Sequence, residues 1–201
     1  MIKAVIPVAG VGTKLRPHTH TQPKPLIPVA GKPILGHIVE SLIEAGIEDF
    51  VFVIGYLGEK IEEYIRESFG DRIQLEFVLQ SPRLGLGHAI WVARESFTSA
   101  EQLLIVLGDT IFDLDLNDFL RSPKTTVGVQ VVEDPRNFGV AMLDEKGVVT
   151  SVKEKPRIPK SNLALVGLYL IHEVPELVAA LEALMAEDRG DSHEEYHLTA
   201  G

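Results

Sequence analysis

The feature that most limits the fold of this chain is a regular alternation of short apolar runs with helical patterns. Apolar runs of strand length occupy residues 4–9, 49–56, 73–80 and 102–109. Between them, residues 33–46, 58–70 and 87–97 carry apolar side chains at helical spacing. Strands separated by helices of this length predict βαβ units with right-handed connections and a parallel sheet.

The pattern changes at about Thr125. Strand-like segments then follow one another with short turns, at residues 125–133, 138–144, 147–155 and 163–172, before a final amphipathic helix at 175–187. We interpret these strands as mixed or antiparallel additions to the same sheet. The prediction is an α/β fold: a Rossmann-like, mixed but mostly parallel sheet flanked by helices in three α/β/α layers. Residues 1–201 show no linker or repeat and are expected to form a single domain.

Composition excludes several classes of function. The formal net charge of −10 argues against general binding to nucleic acid or to an anionic membrane. The chain has no cysteine, which excludes disulfides, thiolate chemistry and Cys-based zinc sites. No apolar stretch approaches the ~20 residues of a membrane span, and Met1–Ala9 is too short for a secretory signal. We therefore expect a cytoplasmic location.

Four predicted strand ends carry polar or glycine residues: Ala9-Gly10, Gln80-Ser81, Gly108-Asp109 and Glu154-Lys155. In open α/β sheets, ligands bind beyond the carboxyl ends of the strands. We therefore expect these four strand ends to converge on one crevice.

The first of these turns, AGVGTK, is rich in glycine and is followed by Lys14 and Arg16. It is not a Walker A loop, because it lacks the four-residue gap before Gly-Lys-Ser/Thr, and it is not a dinucleotide fingerprint, because the third glycine position of that motif is Leu15. From the residues alone, a phosphate-binding turn and an ordinary strand exit with surface cations remain equally good interpretations. Further on, prolines after Lys24 and Lys32 predict stiff, extended backbone that presents two more cations.

Five segments together resemble the sugar-1-phosphate nucleotidyltransferases, in particular glucose-1-phosphate thymidylyltransferases and uridylyltransferases. They are GVGTKLRP…PKPLIPVAGKP, QSPRLGLGHAI, LGDTIF, NFGVAMLDEKGVVTSVKEKP and SNLALVGLYLI, in the order that the family has, between about residues 2 and 199. The resemblance implies the nucleotide-diphospho-sugar transferase fold. It also implies a nucleoside triphosphate and a sugar 1-phosphate as partners, and Mg²⁺ as cofactor.

The resemblance also implies a role for each matching residue. Catalytic positions are Arg16, Lys24 and Asp109, and Asp109 also matches the carboxylate that binds magnesium. Nucleotide-binding positions are Gly10, Gly12, Thr13, Lys14, Gln80 and Gly85. Positions beside the sugar phosphate are Phe138, Gly139, Glu154, Lys155, Gly167 and Tyr169. Gln80 offers both a donor and an acceptor, which suits the imide edge of uracil or thymine.

The chain departs from the family pattern in three places. Lys14 stands where the family usually has arginine, and Ala200 stands where it usually has a second metal-binding aspartate. The family's common C-terminal helices or β-helix are expected to be lacking or trimmed.

The predicted function is transfer of a nucleotidyl group, from dTTP or UTP by preference, to a sugar 1-phosphate, with glucose 1-phosphate as the default. The reaction implied is a magnesium-assisted in-line attack that releases pyrophosphate. The alternative is a non-catalytic regulatory protein that binds sugar nucleotides, which Lys14 and Ala200 favour. A nicotinamide dehydrogenase is disfavoured by Leu15 and by the lack of an acidic strand end ~20 residues on. Homo-oligomerisation is left open.

Overall fold

The chain folds around one eight-stranded sheet in the computed structural model, which describes residues 1–12, 18–187 and 195–200. The strands of the described part are β1 (Ile2–Pro7), β2 (Pro28–Val29), β3 (Lys32–Pro33), β4 (Asp49–Ile54), β5 (Gln74–Leu79), β6 (Gln102–Val106), β7 (Thr126–Val131), β8 (Gly139–Leu143), β9 (Val149–Glu154) and β10 (Leu163–Ile171). Its α-helices are α1 (Ile34–Glu44), α2 (Gly58–Phe69), α3 (Leu86–Val92), α4 (Arg94–Phe97), α5 (Leu116–Leu120) and α6 (Val174–Ala186). Strands β2 and β3 form a separate small hairpin.

The first half of the sheet is parallel, in the order β5-β4-β1-β6. Val5 in β1 lies opposite Val51 of β4 on one side and Ile105 of β6 on the other. Helices cover both faces of a parallel sheet, so inner strands such as β4 and β6 read as nearly continuous apolar runs, whereas the edge strand β5 alternates polar and apolar residues. This explains why the alternation of runs and helices in the sequence predicts this half correctly.

The second half of the sheet is built around β10, which pairs antiparallel with β6, β7 and β8, while β9 pairs antiparallel with β8. Six of the eight strands therefore run in one direction and two, β9 and β10, run in the other. A bulge between Leu165 and Tyr169 contains Gly167, whose φ is +79°. The mixed, mostly parallel sheet predicted from the sequence is confirmed.

Two hydrophobic cores lie on opposite faces of the sheet. Alternate residues of β1 divide between them: Ala4 and Ile6 pack with α1, α2 and α5, whereas Val5 packs with α3, α4 and α6. Side chains of a strand point to opposite faces in turn, so one strand supplies both cores. The three-layer α/β/α arrangement follows. Among the described helices, none has the length and apolar character needed to cross a membrane.

The local structure differs from the sequence prediction in three respects. The helix predicted over residues 87–97 is two helices that meet at Ala93. The β2–β3 hairpin and α5 have no counterpart in the prediction, because both are too short to carry a periodic pattern. The apolar run at 102–109 leaves the sheet at Val106, since the amide of Thr110 donates to the carbonyl of Leu107 and turns the chain toward the cleft described below.

Candidate active site

A cleft of about 670 Å³ opens at the carboxyl ends of β1, β5 and β6. It is lined by Pro7, Val8, Ala9, Gly10, Val11, Gly12, Lys24, Pro25, Gln80, Arg83, Gly85, Leu86, Ala89, Leu107, Gly108, Asp109, Lys155 and Glu195. Each of the four strand ends singled out in the sequence contributes at least one of these residues. The structure therefore brings residues from four distant segments to one edge of the sheet, where ligands bind in open α/β folds.

The glycine turn after β1 packs against the segment that follows it. Gly12 has a φ of +65°, and a Cβ placed there would lie 3.0 Å from the Cβ of Lys24 and from the Cγ2 of Thr19. The buried hydroxyl of Thr19 donates to the carbonyl of Gly12 at 2.9 Å. Only glycine satisfies both the backbone angle and the space at this position. Three further predicted residues of this turn, Thr13, Lys14 and Arg16, lie outside the described residues.

Lys24 and Asp109 face each other within the cleft. The Lys24 ammonium donates to Oδ2 of Asp109 in an ion pair between residues 85 apart in the chain. Both side chains remain about one third exposed, at 34% and 37%. Lys24 begins a 3₁₀ turn, Lys24–Leu26, rather than continuing in extended backbone as predicted. Pro25 permits this because a first-turn residue needs no backbone N–H. Lys32, in β3, is extended as predicted.

Gln80 lies at the end of β5 and is nearly buried, with 5% of its surface exposed. Its Nε2 atom is 2.9 Å from the carbonyl oxygen of Gly85 and 3.0 Å from Nδ1 of His88. His88 is buried in the first turn of α3, and this burial lowers the pKa of its imidazole. Gln80 and Gly85, both predicted to bind the nucleotide, are thus in direct contact.

Of the residues predicted to lie beside the sugar phosphate, Phe138, Gly139, Glu154 and Lys155 meet at the end of β9. Glu154 is in register with Gly139 of β8, and the amide of Lys155 donates to the carbonyl of Phe138 at 3.0 Å. Lys155 has a φ of +38° and lines the cleft. Burial, with a smaller contribution from the charge of Glu154, raises the pKa of Tyr169 to about 12.

Of the six residues predicted to lie beside the sugar phosphate, Lys155 lines the cleft and the other five do not. Gly167 sits in the β10 bulge, where its carbonyl accepts from the amide of Leu107 at 2.9 Å, and Leu107 is a lining residue. Phe138 is 44% exposed and does not line the cleft.

Several cleft residues were not predicted from the sequence. Arg83 adds a third cation, beside Lys24 and Lys155, to the described part of the lining, and it lies inside the segment QSPRLGLGHAI. Glu195 lines the cleft, and the hydroxyl of Thr199 donates to Oε2 of Glu154 at 3.2 Å. Glu195 and Thr199 belong to residues 195–200, which we call the C-terminal strap.

The C-terminal strap is bound to the turn that carries Gly85. The amide of Tyr196 donates to the carbonyl of Leu84, and the amide of Gly87 donates to the carbonyl of Tyr196, each at 2.7 Å. A Cβ on Gly85 would lie 2.8 Å from the Cβ of Glu195, and Gly85 has a φ of +98°. The strap therefore joins the Gln80 side of the cleft to Glu154, and glycine at position 85 is what allows the close approach.

Within the described residues, no group of three or more His, Cys, Asp and Glu side chains is placed to hold a metal ion. The carboxylates that line the cleft are Asp109 and Glu195. Asp113, four residues beyond Asp109, is exposed and is not a lining residue.

Comparison with known proteins identifies the family. The sequence model described as nucleotidyl transferase matches residues 3–195, almost the whole chain. The chain belongs to the nucleotidyl transferase family. The resemblance inferred from its five sequence segments is thereby confirmed.

Its curated relatives in this family are longer proteins. The chain is 36% identical over 196 residues to the low-salt glycan biosynthesis nucleotidyltransferase Agl11 of Haloferax volcanii, covering 94% of this chain and 54% of that protein. It is 35% identical over 195 residues to a glucose-1-phosphate thymidylyltransferase of Streptomyces griseus, with the same coverage of 94% and 54%. It is 37% identical over 188 residues to the bifunctional protein GlmU of Methanocaldococcus jannaschii, covering 94% and 44%. The chain thus spans about half the length of the curated relatives it matches.

Solved structures share the fold. A UDP-glucose pyrophosphorylase complexed with UDP-glucose matches with a TM-score of 0.82 and 27% identity, covering 99% of this chain and 84% of that one. A structure from Bacillus anthracis, 24% identical, matches with a TM-score of 0.81 over 94% of this chain and 76% of its own, and shows the fold alone. The predicted fold class is confirmed by these matches.

Proposed function

We propose that this chain transfers a nucleotidyl group from a nucleoside triphosphate to a sugar 1-phosphate and releases pyrophosphate. The observation that carries the proposal is the arrangement of the cleft. Lys24 and Asp109 face each other in the same cleft that Gln80 and Gly85 line on one side and Lys155 lines on another. An enzyme that joins two phosphorylated substrates needs a site for the base and charged groups near the phosphates. This cleft offers both, with an ion pair and a further cation.

The reaction is a direct displacement at phosphorus. An oxygen of the sugar 1-phosphate forms a bond to the α-phosphorus of the triphosphate, and the bond from that phosphorus to the bridging oxygen breaks. The electron pair leaves with pyrophosphate. The attacking phosphate oxygen is already anionic, so the step needs no general base and no covalent intermediate on the protein.

The protein then contributes positioning and charge stabilisation, which dominate phosphoryl-type transfers. In the proposed arrangement, the turn at Gly10 and Gly12 offers backbone N–H groups to the triphosphate. Lys24 and Lys155 hold the phosphate of the sugar, and Arg83 adds positive charge at the rim. These cations lie in a protein of net charge −10, so the positive charge at this site is local.

Magnesium is proposed as the cofactor, and the cleft fits an ion that arrives with the nucleotide. Mg²⁺ is usually held by one or two carboxylates together with substrate phosphates and water. Asp109, at the end of β6 and partly exposed, would hold it, with Glu195 as the other lining carboxylate. When bound, the ion would neutralise phosphate charge during the transfer.

For the substrates, we propose UTP or dTTP with glucose 1-phosphate. The relatives named as glucose-1-phosphate thymidylyltransferases, and the structural neighbour that holds UDP-glucose, support a pyrimidine base and a glucosyl group. Gln80 supports the same choice, because its amide can hydrogen-bond the imide edge of uracil or thymine.

A second candidate function is that of a regulatory protein that binds sugar nucleotides without turning them over. Ala200 stands where the family usually has a second metal-binding aspartate, and this residue favours the second candidate. The two candidates differ in one measurable property, the release of pyrophosphate.

The decisive experiment is an assay of pyrophosphate release with Mg²⁺ and glucose 1-phosphate, pairing the sugar in turn with dTTP, UTP, GTP, ATP and CTP. Turnover with dTTP or UTP is the expected result. Nucleotide binding without turnover would favour the regulatory protein, and Ala200→Asp would then test whether the missing carboxylate is the cause.

Asp109→Asn tests the proposed site within the same assay. We expect turnover to fall at least about a hundredfold, the loss typical of removing one electrostatic contact from a transition state. Asp113→Asn is the matched control, since it makes the same change on an exposed residue outside the cleft lining, and it should keep full activity. Equal activity of the two variants would contradict the assignment of Asp109.

A further inference from the structure

Gln80 and His88 form a buried polar contact behind the proposed base site. Among the described residues, they are two of three polar side chains that are almost fully buried, with 5% and 6% of their surfaces exposed. Burying a polar group is costly unless it is hydrogen-bonded. The orientation of these two side chains is therefore set by the partners that they find inside the protein.

The carbonyl of Gly85 determines which end of the Gln80 amide points inward. A carbonyl oxygen only accepts hydrogen bonds, and it lies 2.9 Å from the position of Nε2. An amide turned by 180° would place its Oε1 oxygen at this distance from another acceptor, without a hydrogen between them. The amide nitrogen, with both of its hydrogens, therefore faces the protein interior.

His88 takes the second hydrogen of this nitrogen. Its Nδ1 atom lies 3.0 Å from Nε2 of Gln80, and it must be unprotonated to accept, which assigns the ring hydrogen to Nε2 of His88. The imidazole is held in place by Trp91, whose ring centroid lies 5.8 Å away. The guanidinium of Arg94 covers that indole at 4.3 Å.

The consequence concerns what Gln80 can offer to a ligand. Gly85 and His88 use both amide hydrogens, so the Oε1 acceptor is what remains for a base in the cleft. We propose that His88 is a positioning residue that makes Gln80 act only as a hydrogen-bond acceptor, and so favours a base with a ring N–H. This inference rests on the proposed function, because it assumes that the cleft binds a nucleoside triphosphate beside Gln80.

Uracil and thymine carry a hydrogen on N3, whereas cytosine carries a lone pair there. An Oε1 acceptor therefore pairs with the N3 hydrogen of UTP but faces a second acceptor in CTP. A site built to hydrogen-bond a substrate group discriminates strongly against an analogue that cannot make the bond. Guanine also has a ring N–H, but it is larger than uracil. Uracil and cytosine have the same size, so a comparison of UTP with CTP isolates this contact.

Removing the acceptor on His88 should release the amide. His88→Phe keeps an aromatic ring beside Trp91 but leaves one amide hydrogen of Gln80 without a partner. A buried unsatisfied donor is unfavourable, so the Gln80 side chain should rotate and offer its NH₂ group to the cleft. A side chain that can donate as well as accept no longer excludes cytosine.

The test measures equilibrium binding of UTP and CTP to the full chain by titration calorimetry, without sugar phosphate. We expect the wild-type protein to prefer UTP, and His88→Phe to reduce the ratio of the two dissociation constants about tenfold, the equivalent of one hydrogen bond. His88→Asn keeps an acceptor near the position of Nδ1 and should retain most of the preference. Thermal melts of both variants check that they fold.

Each outcome bears on the inference. A purely structural role for His88 would weaken both nucleotides equally and leave the ratio unchanged, which would overturn the proposal. A wild-type protein with no preference for UTP would overturn it as well. Failure of the proposed function is seen separately, as absence of pyrophosphate release from a protein that still discriminates between the two nucleotides.

Discussion

At the scale of single residues, Gly10 and Gly12 are two positions apart in the first turn but differ in how closely other atoms pack against them. A Cβ on Gly12 would meet Lys24 and Thr19 at 3.0 Å, whereas a Cβ on Gly10 would meet no atom of the described residues within 4 Å. Gly10 nevertheless lines the cleft. The packing of the described residues explains the glycine at position 12, and it does not explain the one at position 10. We attribute Gly10 to the close approach of a ligand to the backbone.

Gly10→Ala should therefore separate stability from activity. We expect the free energy of unfolding to stay within about 0.5 kcal/mol of wild type, as for a substitution that disturbs no contact. The added methyl group should obstruct the triphosphate and lower kcat/KM for the nucleotide about tenfold, which corresponds to roughly 1.4 kcal/mol. Urea unfolding and steady-state kinetics measure the two effects.

Gly12→Ala provides the contrast for this experiment. Its left-handed φ of +65° should cost about 1–2 kcal/mol of stability for alanine, before any steric conflict is counted. If Gly10→Ala destabilised the protein as much as Gly12→Ala, the glycine at position 10 would have a structural role and the ligand-based interpretation would be wrong.

At the scale of elements, the C-terminal strap pairs with the turn before α3. Two backbone hydrogen bonds of 2.7 Å hold Tyr196 between Leu84 and Gly87. The strap also reaches Glu154 through the hydroxyl of Thr199. A change in this pairing should therefore be felt both at the proposed base site and at the proposed sugar site.

Gly85→Ala should open this pairing. The backbone of Gly85, with a φ of +98° and a ψ of −179°, lies in a region that is essentially restricted to glycine and costs other residues about 1–3 kcal/mol. The new Cβ would also collide with Glu195. We expect faster hydrogen exchange at the amides of Gly87 and Tyr196, and weaker nucleotide binding.

Gly31→Ala is the matched control for the strap experiment. Gly31 also has a positive φ, +84°, but in the part of the chain that the structure describes no atom lies within 4 Å of its Cβ position. The control should lose stability through backbone strain alone and leave exchange at Tyr196 unchanged. Faster exchange at Tyr196 in both variants would mean that general destabilisation, rather than loss of the pairing, is the cause.

At the scale of the whole molecule, two cores share one sheet, and the site occupies the edge where its strands end. Phe52 in β4 is fully buried in one of these cores, with ring centroids 6.0 Å from Phe50 and 5.5 Å from Phe77. The cleft lining comes mostly from strand ends, loops and the first residues of α3, and Val8 belongs both to this lining and to the core that holds Phe52. A substitution deep in the core should therefore lower the stability of the fold without changing the turnover number of the folded protein.

Phe52→Ala should destabilise the fold by about 3–5 kcal/mol, the usual cost of removing a buried aromatic side chain and leaving a cavity. The turnover number of the molecules that remain folded should be unchanged. Urea unfolding gives the first quantity, and activity normalised to the folded fraction gives the second.

Val131→Ala serves as the control for this core substitution, because Val131 is 60% exposed on β7 and its truncation should change stability by no more than about 0.5 kcal/mol. A loss of only 1 kcal/mol for Phe52→Ala would show that the core closes around the missing ring.

Much of the fold could be predicted because its signals are local. Strands β4 and β6 are nearly continuous apolar runs, β5 alternates polar and apolar residues, and the helices between the strands carry apolar stripes; none of these signals needs knowledge of distant residues. The limits of the prediction have the same origin. Helix α5 is five residues long and the β2–β3 hairpin has two-residue strands, so neither extends over enough repeats to show a periodic pattern.

The sequence predicts which residues stand at the strand ends of the candidate site. It does not predict which other residues contact them. Asp109, Gln80 and Lys155 follow predicted strands, and the topology of an open sheet brings such ends together. Their roles stay predictions until the proposed assays are done. Arg83 could not be predicted, because an exposed arginine in a loop has no pattern that distinguishes it from other surface cations.

The sequence by itself determined the layered architecture, the family and the kinds of side chain that meet at the cleft, because these depend on residue type and on periodicity along the chain. Only the tertiary structure decided which groups touch: Lys24 with Asp109, Gln80 with Gly85 and His88, and Tyr196 with Leu84 and Gly87. Most of these contacts join residues far apart in the chain, and each depends on the path of a turn. The direction of a hydrogen bond, and with it the base that Gln80 would select, follows from that path and not from residue type alone.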